Sequence, residues 1–273
     1  MIFCKELNKH FNTKEEMLAD MVTNKELIMD AKKSAIKFSD AINLTPRSLD
    51  AEKAEQTQAP KYELGDIIYP VINTTNYLDS HGDVHAKDIW NKSVKDQAGK
   101  IYYIQNHDFG IGDIIATPKD VAIELREMSW TELGKDYKGK TTALVYGVKL
   151  TDLAPDQFLK LLRSGHPLEN SVRMSYVSMS FCVNNSEFVD EYANWNKYIK
   201  EVANREDAEE LGYFWYIKEA KIVKEGSAVL NGSNDVTPIL ASQPKQEQKE
   251  EPTDVTLDTN NSKVAKKAPV WLY

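Results

Sequence analysis

Arg173-Met-Ser-Tyr-Val-Ser178-Met-Ser-Phe-Cys182 reads as a buried strand that presents a serine hydroxyl at a fixed point. His107 lies 71 residues before Ser178, in Gln105-Asn-His107-Asp-Phe-Gly-Ile-Gly112. A serine hydroxyl is a weak nucleophile near neutral pH and needs a positioned base to take its proton. One imidazole and one hydroxyl, each on a strand or strand end, would supply nucleophile and base for acyl transfer. Ser180 shares the strand face of Ser178 under period-two alternation, whereas Ser175 faces the opposite side, so spacing leaves Ser178 and Ser180 both open. The bland reading is a packed, hydrogen-bonded serine and a satisfied histidine.

The other titratable groups offer less. The chain has five histidines, of which His10 sits in a helical extension and His166 follows a helix C-terminus, where a cation is favourable. His81 and His85 flank the turn signal Gly82-Asp83, with no cysteine or third histidine nearby to complete a metal set. Asp83 is expected to stabilise the Gly82 turn. Asp108 could orient the imidazole, but in an extended segment its side chain would point away from His107.

These groups must be held by a β-rich scaffold. Residues 66–73, 100–105, 121–126 and 141–150 are strand-like, with Pro70 confining the first to an edge, a bulge or a break. Ile89, Trp90 and Val94 have helical spacing over 86–95. A second helix is expected over 154–163, with Pro155 in its first turn and Gly165 at its end. The serine strand covers 172–183, a polar stretch 184–210 with a helix-like 196–202 follows, and 211–223 with 227–230 complete the β part. An α+β domain around a closed or nearly closed, barrel-like antiparallel sheet is the expected fold.

Before this domain, residues 1–60 read as a helical extension and linker. Thr13-Lys-Glu-Glu16 and Thr23-Asn-Lys-Glu26 both have capping-box spacing, giving two short helices or one bent helix. The extension is either a partner-binding arm or a helical hairpin capping the domain, which itself spans 61–241. From 242 to 273 the chain is Gln-, Glu-, Lys- and Pro-rich and is expected to be a disordered tail. It ends in Val270-Trp-Leu-Tyr273, read either as a docking peptide or as a strand returned to the sheet.

Composition narrows the function classes. The chain has 273 residues, 41% hydrophobic and 28% charged, with net charge −8. That charge disfavours non-specific binding to nucleic-acid phosphate. Cys4 and Cys182 have neither disulfide-framework nor zinc spacing. No secretory signal or membrane-length apolar run is evident, so a reducing cytoplasm is the expected compartment.

Four segments, in order, resemble the tailed-phage prohead (capsid maturation) serine proteases. They are Asp79-Ser-His-Gly82-Asp83-Val84, His107-Asp-Phe-Gly-Ile-Gly112, Val177-Ser178-Met-Ser-Phe181 and Glu225-Gly-Ser227-Ala-Val229 with Gly232-Ser-Asn234. Ser180 stands where the family has glycine, and the polar insertion 184–210 separates the last two segments. The resemblance selects Ser178 as nucleophile, His107 as base and Glu225 as the third catalytic residue. It implies a compact β-barrel with peripheral helices, shared with the herpesvirus assemblin proteases, and neither metal nor organic cofactor. It also implies cleavage of scaffold or major capsid protein segments, and of the chain itself, inside the immature prohead in an infected bacterium. Those head proteins would serve as substrates and recruiters, with self-association as a further contact. The alternative is a catalytically inactive capsid or scaffold component that retains the protease fold.

Overall fold

The computed structural model describes residues 1–36, 62–230 and 232–240. The chain begins with a short hairpin, β1 (Ile2–Cys4) and β2 (Lys9–Phe11), followed by α1 (Lys14–Thr23) and α2 (Lys25–Ser34). The first half of the main body contains β3 (Ile67–Thr74), β4 (Asp83–His85), α3 (Asn91–Gln97), β5 (Tyr102–Gln105), β6 (Ile114–Ala116), β7 (Val121–Ser129) and β8 (Lys140–Lys149). It continues through α4 (Asp156–Arg163), β9 (Glu169–Val183), α5 (Val189–Tyr198), α6 (Arg205–Leu211), β10 (Tyr213–Val229) and β11 (Ile239–Leu240).

Among the described residues the strands form open sheets, and the expected barrel closure is not found. One sheet has the order β4-β10-β5-β6 with β9 on the other side of β10, and a second has the order β11-β3-β8-β7. The long β9–β10 antiparallel ladder runs from Val183 opposite Tyr213 to Glu169 opposite Val229. β4 and β5 both pair with β10 in parallel, β4 near its start and β5 near its end. α3 lies in the connection between β4 and β5, which pair with β10 and not with each other. The mixture of parallel and antiparallel pairing departs from the expected all-antiparallel barrel. The sheets meet through alternate buried positions, including Ile72, Tyr103, Tyr146, Val172, Ile222 and Ala228.

The N-terminal helices belong to this packed unit. Thr13 Oγ1 accepts from Glu16 N at 3.1 Å, so the first capping signal works as its spacing suggests. The second does not, because Thr23 is the last residue of α1 and its Oγ1 donates to Ala19 O at 2.8 Å, while Asn24 at the start of α2 turns its side chain back to Asp20. Met17, Leu18, Met21 and Ile28 enter the main core. Lys32 is buried and reaches Asp83 at 2.5 Å, and Lys25 pairs with Glu191 at 2.6 Å. The helices therefore cap the domain. The linker expectation for 48–60 and the tail and terminal-peptide expectations for 242–273 lie outside the described residues.

The polar insertion 184–210 folds as a helical cover. Trp195, Tyr198, Val202 and Ala208 pack against Leu78, Val84, Phe214 and Tyr216, with the Tyr198 and Tyr216 rings stacked at 3.9 Å. No helix among the described residues is long and apolar enough to cross a membrane.

Candidate active site

The site is built where β5 ends beside β10. After Gln105 the chain takes two consecutive left-handed residues, Asn106 at φ 52° and His107 at φ 57°. Such a conformation costs a non-glycine residue roughly 1–2 kcal/mol, more easily tolerated by asparagine than by most others. The turn is held by Asn106 N donating to Ala228 O at 2.9 Å and Asp108 N donating to Gln105 O at 3.0 Å. His107 N donates to Ser227 Oγ at 2.9 Å, which curls the imidazole back over β10.

There the ring meets Glu225, with Nδ1 2.8 Å from Oε1. Glu225 is fully buried, and the His107 side chain is 8% exposed. A register shift between Ile222 and Gly226, with Lys224 at φ 68°, sets the phase in which Glu225 leaves β10. Beyond that bulge the pairing with β5 is regular, Glu225 opposite Tyr102 and Ser227 opposite Ile104. With Nδ1–H donating to the carboxylate, Nε2 keeps its lone pair and can accept a proton. Burial pushes the Glu225 carboxyl above the usual carboxylate range, opposed by the hydrogen bond and charge of His107 and by the charge of Arg173.

Gly226 allows this packing. A Cβ there would sit 2.6 Å from Tyr146 Cε2, so the residue between Glu225 and Ser227 has no room for a side chain. Asp108, the rival carboxylate, accepts instead from Gly110 N at 2.8 Å. Phe109 stands edge-on to Tyr102 at 6.0 Å, and the Arg173 guanidinium lies 5.8 Å from its ring centroid.

Strand pairing joins two of the three residues expected from sequence and leaves out the third. Val172 is opposite Gly226, whereas Ser178 is opposite Glu219, six residues farther along β9. Six residues of extended strand span about 20 Å, so the register does not bring Ser178 to the imidazole. Ser180, opposite Tyr216, lies farther still. The serine that pairing does bring is Ser171, directly opposite Ser227 and 7% exposed. Directly opposed residues of an antiparallel pair share a face, so Ser171 lies on the face that carries Glu225 and Ser227. Ser227 is itself occupied, accepting from His107 N and donating to Ile104 O. Nothing in residue spacing marked Ser171, because its place opposite Ser227 is set by the register shifts along the ladder.

The other two resembling segments are structural. Asp79, not Asp83, stabilises the Gly82 turn, its Oδ1 accepting from His81 N and Asp83 N at 2.9 and 3.0 Å. Asp83 instead takes the Lys32 ammonium and the Tyr176 hydroxyl, the latter at 2.8 Å. His85 bonds Asn73 through Nδ1 at 2.9 Å and approaches Tyr176 Oη through Nε2 at 3.3 Å. Asn234 ties the closing segment to Thr74. Among the described residues no three His, Cys, Asp or Glu side chains converge as a metal site.

No family model, curated protein or solved structure matches this chain.

Proposed function

We propose that this chain is a serine endopeptidase in which His107, oriented by Glu225, activates a serine on β9. What supports the reading is the buried 2.8 Å contact between His107 Nδ1 and Glu225 Oε1, made by side chains 118 residues apart. An imidazole oriented by a carboxylate on one nitrogen can act as base through the other. Ser171 takes the nucleophile's role in place of Ser178, because it is the serine paired across the ladder beside this dyad.

In the first step Ser171 Oγ attacks the scissile carbonyl while its proton passes to His107 Nε2. The tetrahedral intermediate collapses, the imidazolium returns that proton to the leaving amine, and an acyl-enzyme remains. Water then attacks the ester, losing a proton to the same nitrogen, and the acid product leaves as Oγ regains its proton. The ordered four-segment resemblance extends the proposal to prohead maturation, with scaffold, major capsid protein and the chain itself as substrates. It also carries the herpesvirus-protease relationship, although the described strands form open sheets in place of the barrel which that relationship implies.

The test is to incubate the purified full chain, follow self-cleavage by intact mass, and map the serine labelled by a fluorophosphonate. Label on Ser171 with self-cleavage is the expected result. One observation favours the second reading, a non-catalytic head component: the motif serine, Ser178, is separated from the dyad by the strand register. Neither label nor cleavage, of self or of co-expressed head proteins, would select it.

A further inference from the structure

Glu225 has two carboxylate oxygens, and the imidazole occupies one. Oε2 is buried and has no hydrogen-bond partner among the described residues. Burying a carboxylate with one oxygen unbonded is costly unless a counter-charge lies near. The β9–β10 register supplies one. Ile222 is opposite Met174 and Gly226 opposite Val172, so Arg173 is the one β9 residue across from the bulged stretch 223–225 that ends in Glu225. The guanidinium is also located by the loop that follows His107, 5.8 Å from the Phe109 ring centroid.

The titratable or charged groups around Glu225 come from each element packed against it. His107 follows β5, Tyr102 lies at the paired position on β5, Arg173 comes from β9, and Tyr146 comes from β8 across Gly226. Only Arg173 among these is permanently cationic.

We propose that Arg173 is a positioning residue, whose guanidinium keeps the buried Glu225 ionised and thereby keeps Nδ1–H of His107 turned toward it. The proposal deepens the protease reading and rests on it for its catalytic consequence alone. The charge of Arg173 counts among the influences that draw Glu225 back down against its burial. Arginine suits the task better than a neutral residue of equal length, which would leave the carboxylate with the imidazole as its sole source of positive charge.

The experiment titrates the full chain carrying 13C at glutamate Cδ, with the Glu225 resonance assigned from Glu225→Gln. In Arg173→Met the Glu225 midpoint should move to higher pH than in wild type, and Arg173→Lys should restore most of the shift. Phe109→Ala, a change in a partly exposed loop, should move it less and in the same direction, which keeps the test open should Arg173→Met fail to fold. In a cleavage assay Arg173→Met should lose rate on the acid side of the profile and recover as pH rises. An unmoved Glu225 midpoint in a folded Arg173→Met, or in Phe109→Ala when Arg173→Met does not fold, overturns the proposal. If wild type cleaves nothing while the carboxyl titrations shift as stated, the protease reading fails and the role of Arg173 stands.

Discussion

His107 and Glu225 lie 118 residues apart, and the turn after β5 brings the Nδ1 of one within 2.8 Å of the Oε1 of the other. The contact joins a left-handed turn residue on one side to a bulged strand on the other. Changing Glu225 to Gln keeps the shape but removes the anionic acceptor. Carboxylate-to-amide replacement at this place in serine-protease triads lowers kcat by about 10⁴-fold. A loss of that order, with a near-native circular dichroism spectrum, is the expected outcome for Glu225→Gln in a peptide-cleavage assay.

The pH profile should carry the mark of burial. Glu225 must be ionised to hold Nδ1–H, and its carboxyl is raised by burial. Activity is therefore present above that raised value and lost as pH falls through it. The acid limb of kcat/KM should lie at higher pH than an exposed glutamate would give, in rates measured across pH 4–8.

The Asp79 carboxyl is pushed up to about 7, first by burial and then by the neighbouring Asp83 charge. Because the folded value is raised, the associated stability is fully present below the unfolded value and is lost as pH rises through about 7. Asp79→Asn keeps an acceptor for the His81 and Asp83 amides but cannot ionise. Its thermal midpoint relative to wild type should therefore improve between pH 5 and pH 8.

Lys32 on α2 places a buried ammonium against Asp83 at 2.5 Å. Replacing one partner of such a pair leaves an uncompensated buried charge and typically costs about 3–5 kcal/mol. Lys32→Met should show a loss of that order in urea unfolding at pH 8. An unchanged midpoint would mean that the N-terminal helices contribute little to the fold.

Much of this site could be read from residue types. The strand around 172–183, the helix over 154–163, and the partnership of His107 with Glu225 each had a local signal or a resembling segment. The register did not, because it depends on the bulge at Lys224, on further shifts near Glu219, and on where the 184–210 insertion ends. A one- or two-residue irregularity changes which serine lies beside Glu225 while leaving every motif intact. Lys32 was hidden for a different reason. A lysine on an amphipathic helix reads as solvated, and only the position of the Asp83 turn turns it inward. The β1–β2 hairpin has strands of three residues, too short for alternation to register.

The account turns on which serine is the nucleophile, and paired alanine substitutions measure that directly. Self-cleavage and turnover of a capsid-derived peptide would be followed for Ser171→Ala and Ser178→Ala, with folding checked by thermal melt. Loss of a triad nucleophile can cost around 10⁶-fold in kcat, so Ser171→Ala should be inactive while Ser178→Ala stays close to wild type. Wild-type cleavage by folded Ser171→Ala, with loss in Ser178→Ala, would contradict the account and return the nucleophile to the motif serine.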